Sequence, residues 1–139
     1  MKCLALVAAL LLAAAPALAQ KKPWPVAGIW FGSGQIDDRS QMYIDTFNPG
    51  GSFHAHHRKC AQGKVAYELF EAGRWRVVDN ALTVDIATVN GRKEPRTDLY
   101  LIKSVDDKIQ NYVHVDTNFE FRARKVNASF KMPPCDLSS

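Results

Sequence analysis

Apolar and polar residues alternate with a period of two through most of this chain. Leu82, Val84 and Ile86 alternate with Thr83, Asp85 and Ala87, and Phe119, Phe121 and Ala123 alternate with Glu120, Arg122 and Arg124. Ile109, Asn111 and Val113 alternate with Gln110, Tyr112 and His114, so Asn111 reads as an inward polar group between two apolar ones. A repeat of two places successive side chains on opposite faces of a strand, and the 3.6-residue repeat of an amphipathic helix is almost missing. Turn-forming groups cut the pattern into short runs: Asn48-Pro49-Gly50-Gly51, Ala72-Gly73, Asp79-Asn80, Asn90-Gly91, Asp106-Asp107 and Asp116-Thr117-Asn118. Strands are predicted at 28–35, 41–48, 52–60, 65–70, 73–78, 81–89, 97–104, 108–114 and 119–126. Only 33–39 and the C-terminal tail leave room for a helix.

Strands in such close succession pair antiparallel, because a parallel pair needs a long crossover. Their short connections favour up-and-down order over the long returns of a Greek-key sandwich, which is the rival architecture. Closure removes the exposed sheet edges. The expected fold class is therefore all-β, an up-and-down antiparallel barrel of eight to nine strands. A barrel of that size holds its own side chains and has room for one small ligand.

Gly28-Ile29-Trp30, which follows Pro25-Val26-Ala27, resembles the GxW motif that opens lipocalin and related calycin barrels. Phe47-Asn48-Pro49-Gly50-Gly51-Ser52-Phe53, then Gly73-Arg74-Trp75-Arg76-Val77, then Leu82-Thr83-Val84, are similar in order and rhythm to small bacterial lipocalin-like domains. The resemblance implies that Trp30 plugs one end of the barrel and that an arginine of the last strand, Arg122 or Arg124, packs across its ring. Two features depart from the family. No segment matches the helix that packs beside a full lipocalin barrel, and Thr97-Asp98-Leu99-Tyr100 is one residue short of the TDxxY motif. The resemblance implies a fold and a cup, not a ligand.

The first nineteen residues change the picture of where the barrel works. Lys2 gives a positive start, Leu4 to Ala14 an apolar run, and Ala17-Leu18-Ala19 a small-x-small cleavage site, the order of a secretory signal peptide. Residues 20–139 are then the mature lipocalin-like domain, expected to be periplasmic or secreted, with no membrane span once the leader is cut. The formal charge of +4, or +3 without Lys2, is mild and interspersed. Nucleic acid is not an expected partner, since a groove for it wants a dense basic stripe. Loss of Cys3 leaves Cys60 and Cys135, which an oxidising compartment would join as a disulfide.

Chemistry-bearing residues are few. On the strand Phe53-His54-Ala55-His56-His57, an inward Phe53 would take His57 inward and leave His54 and His56 outward, spaced to share a transition metal weakly. Asp45 or Glu68 on the neighbouring strands could complete a pair. No GxSxG, P-loop or Rossmann glycine pattern occurs, so no catalytic residue is assigned and a non-enzymatic role is expected, with no cofactor. The apolar phases nominate Phe53, Tyr67, Trp75, Leu82, Val84, Tyr100, Ile102, Phe119 and Phe121 as lumen residues around a small apolar or amphipathic molecule. The same side chains could instead fill the barrel. The second functional class is a monomeric interaction module, such as an inhibitor of an exported hydrolase. It would act through its loops or the 21–26 arm, where Trp24, between two prolines, reads as an exposed anchor.

Overall fold

A computed structural model describes residues 23–136, so the leader expected over residues 1–19 lies outside the described residues. Eight strands follow one another: β1 (Gly28–Ser33), β2 (Gln41–Phe47), β3 (Ser52–Ala61), β4 (Lys64–Val78), β5 (Ala81–Val89), β6 (Arg92–Val105), β7 (Ile109–His114) and β8 (Glu120–Val126). Each is antiparallel to the next, and β8 returns to β1 to close an up-and-down barrel. No helix occurs among the described residues. The 33–39 segment bends instead, with Gly34 at φ +61° and the Asp38 carboxylate accepting from the Ser40 hydroxyl at 2.6 Å.

Nine predicted strands become eight because 65–70 and 73–78 are one element. Opposite Ala72-Gly73 the β4–β5 register slips, with Ala87 of β5 as the extra, unpaired residue. A Cβ on Gly73 would lie 2.0 Å from the Asp85 carbonyl oxygen, so this glycine serves close backbone approach, not a turn. Asn90-Gly91 does turn, with φ of +48° and +76°, as a two-residue hairpin requires. Beyond it β6 starts five residues earlier than expected, and Pro95 is accommodated where the β5–β6 register slips.

One end of the barrel is packed solid. Trp30 is fully buried there among Phe47, Phe53, Leu82 and Ile102, and its indole nitrogen donates to the Val26 carbonyl at 2.8 Å. Trp24, expected as an exposed anchor, packs against this same cluster, because the chain before β1 folds across the barrel end. The cation over Trp30 is Lys125, with Nζ 5.2 Å from the ring, and not Arg122 or Arg124. The correction follows from alternation: Lys125 shares the inward phase of Phe121 and Ala123, whereas the two arginines lie on the outward phase. Arg124 instead covers Phe31 and Phe130 on the outside, at 5.2 and 4.9 Å.

The phase of β7 is the reverse of the expected one. Gln110, Tyr112 and His114 face in, and Asn111 faces out, donating to the Ser104 hydroxyl at 2.8 Å. On the barrel exterior, Phe31, Met42 and Cys60 form a second small core under Phe130 and Met132 of the tail. The Cys60–Cys135 disulfide fastens that tail down, with the two Cα atoms 5.6 Å apart.

Candidate functional site

The opposite end is open, and its inner wall is polar. Five strands supply the groups by simple alternation from core residues. Phe47 on β2 puts Asp45 and Tyr43 inward, and Phe53 and Ala55 on β3 do the same for His57. Ile102 on β6 brings Tyr100, Asp98 and Arg96 inward, and Gln110 on β7 brings Tyr112 and His114. On β4, Trp75 and Gly73 bring Glu71 inward in the same way, opposite Ala55. Gly32 is what admits the Tyr43 ring, since a Cβ there would sit 2.3 Å from it.

Together these residues ring a recess of about 230 Å³, bounded on its rim by Thr117 and Phe119 and floored by aromatic side chains. Below Asp45 and His57 the lumen narrows to a void of about 20 Å³, room for about one water. Tyr100 packs edge-on against Tyr112 at 5.3 Å, and Phe121 stacks on Tyr112 at 5.5 Å. The Tyr112 hydroxyl donates to that of Tyr43 at 2.9 Å. This is a shallow cup over a filled base.

The charges are chained. Glu71, almost fully buried, accepts from Arg96 and faces His57 Nε2 at 3.5 Å. Arg96 also donates to Asp98 at 3.1 Å, and His114 Nε2 lies 3.8 Å from Asp98. Burial alone would lower the His57 pKa. The bond to Glu71 and the charges of Asp45 and Glu71 outweigh it, and the net shift is upward. Burial likewise pushes Glu71 up, but His57 and Arg96 hold it below its usual value. Asp45 has no such rescue. Burial, with the Glu71 charge adding, raises it from 3.8 to about 6 against the pull of His57. Its Oδ1 atom is buried with no hydrogen-bond partner.

The nominated lumen residues divide by depth. Tyr100, Phe119 and Phe121 line the recess. Phe53, Leu82, Val84 and Ile102 belong to the packed core, and Trp75 caps its edge, donating from its indole nitrogen to the Asn48 carbonyl at 2.8 Å. Tyr67 is not a lumen residue: it is about half exposed, on the part of β4 that extends beyond its pairing with β5. His57 is inward, whereas His54 and His56 lie on the exterior. There His56 Nε2 is 3.0 Å from Glu68, and Arg58 bonds the same carboxylate at 2.7 Å. Among the described residues no group of three or more His, Cys, Asp or Glu is placed to hold a metal ion.

Sequence reasoning missed Glu71, Arg96 and Asp98 as site residues. For β6 the signal was present, since counting back in twos from Ile102 reaches Tyr100, Asp98 and Arg96. For Glu71 the signal was masked because Ala72-Gly73 reads as a turn, whereas Trp75, Gly73 and Glu71 keep one unbroken inward phase. No protein-family model matches the chain, and no curated protein matches it.

Proposed function

We propose that this is an exported, non-catalytic binding protein that holds a small amphipathic molecule in the mouth of its barrel. The observation that carries the reading is the 230 Å³ recess itself, whose wall combines aromatic rings with charged groups. Pockets for drug-sized ligands run to ~300 Å³ and more, so the occupant is of about one-ring size. Its apolar part meets Tyr100, Tyr112 and Phe121, and its polar part meets the charged groups of the same wall. The fixed groups of that wall are already paired with one another, as suits recognition more than turnover. Export is supported by the Cys60–Cys135 disulfide, which reducing compartments do not sustain, and no helix among the described residues is long and apolar enough to cross a membrane. The alternative of an inhibitor acting through its N-terminal arm loses its anchor, because Trp24 is packed against the core.

The test is native mass spectrometry on protein isolated from the cells that make it, followed by thermal denaturation with one-ring amines, alcohols and acids. A retained small molecule, or a concentration-dependent rise in Tm that Phe121→Trp abolishes by filling the recess, supports the reading. An empty barrel with a flat Tm across all three classes refutes it.

A further inference from the structure

We propose that the occupant of the recess carries a cationic amine and that Asp45 is its counter-ion, an inference that rests on the binding reading above.

Three carboxylates face the lumen: Asp45 and Asp98 line the recess, and Glu71 lines the void just beneath it. The only permanent cation lining it, among the described residues, is Arg96. That guanidinium is shared between Glu71 and Asp98, and the two imidazoles are drawn to the same pair, His57 toward Glu71 and His114 toward Asp98. Asp45 is left over. It is only 8% exposed, it borders both the recess and the void beneath, and its Oδ1 is without a partner. A buried carboxylate oxygen in that state is costly, and a ligand N–H that reaches it recovers the loss through a charge-assisted bond.

Charge selects among ligand classes. An anion would enter against three carboxylates and one guanidinium, and a neutral molecule would leave the Asp45 charge only partly offset by His57. A bare metal ion is disfavoured for a different reason, since no group of three ligating side chains is assembled among the described residues. An organic cation fits both demands. Its ammonium pairs with Asp45, and the tyrosine rings that line the recess, Tyr43, Tyr100 and Tyr112, supply aromatic surface that attracts a positive group. The volume limits it to one ring and a short chain, the shape of an arylalkylamine.

The experiment is isothermal titration of the mature, disulfide-bonded protein with 2-phenylethylamine, 2-phenylethanol and phenylacetate, at neutral pH and low salt. The amine is expected to bind at least about tenfold tighter than the alcohol, the scale of one charge-assisted hydrogen bond, and the acid not at all. In Asp45→Asn the amine should fall to the level of the alcohol, whose own affinity stays within about twofold. Equal binding of amine and alcohol, or preference for the acid, overturns the amine assignment while the cup itself stands. No binding by any of the three overturns the assignment and the binding reading together. Because the three-ligand comparison is made on the unaltered protein, it decides the matter whether or not the variant folds.

Discussion

Asp45→Asn should make the barrel more stable at neutral pH, although it removes a charge from the proposed site. The carboxyl is buried and titrates near 6 instead of 3.8, so the fold favours its protonated form. A shift of about 2 units corresponds to about 3 kcal/mol at roughly 1.4 kcal/mol per unit. The sign follows from linkage. A pKa raised on folding contributes most favourably below the unfolded value, near pH 4, and that contribution is lost as pH rises through about 6. Asparagine has the shape of the protonated acid and no charge to desolvate. The variant should therefore match the parent at about pH 4, gain through the window from about 4 to 6, and lead by about 1–3 kcal/mol above it. The lower end allows for lost attraction to His57, the cation that pulls most strongly on Asp45; Glu71 and Tyr112 also act on it. Urea denaturation of both proteins from about pH 4 to 8, with the disulfide intact, reads this directly. A pH-independent difference, or a variant less stable than its parent at neutral pH, would refute the claim that burial of the Asp45 charge outweighs what His57 and Tyr112 return.

Other perturbations test the scaffold. Gln110 is buried at the closed end with neither amide atom hydrogen-bonded, so Gln110→Leu should stabilise by about 1 kcal/mol or more in the same urea assay; a loss of that size would show the amide is satisfied. Gly73→Ala should cost about 3 kcal/mol or prevent folding, because the new methyl meets Asp85 backbone and not a side chain that can swing away; near-normal thermal stability would contradict this. Replacing both Cys60 and Cys135 by alanine should lower stability by about 2–4 kcal/mol, since the bond closes a 75-residue separation, yet far-UV circular dichroism should keep its β signature because the tail lies outside the barrel.

The architecture was legible because turn chemistry and the period of two are local. Asn90-Gly91 ends β5 where the sequence says it should, and Phe53 correctly sends His57 inward. The errors came where one phase could not be told from the other. In β7, Ile109 and Val113 look more like core than Gln110 and His114, and only the closed barrel reveals that the apolar pair faces out. In β2 both phases carry apolar residues, so nothing marked Asp45 as inward. An arginine over Trp30 conflicts with the alternation running from Phe119 to Ala123, which puts Lys125 on the inward phase. The polar mouth as a whole was hidden for a different reason. Its groups come from five strands and meet only through closure, so no short window of sequence contains the site.

The closing seam has a consequence for how the molecule is put together. β1 and β8 meet through only three residue pairs, Ile29, Trp30 and Phe31 with Val126, Lys125 and Arg124, whose partners are some ninety residues distant along the chain. Such a remote and brief join should be the last ladder to zip during folding and the first to breathe in the native state. Phe130, lying 4.8 Å from Phe31 and held by the neighbouring disulfide, acts as a patch sewn over that weak hem. Oxidation after assembly would thus do more than brace the tail: it would lock the hoop shut.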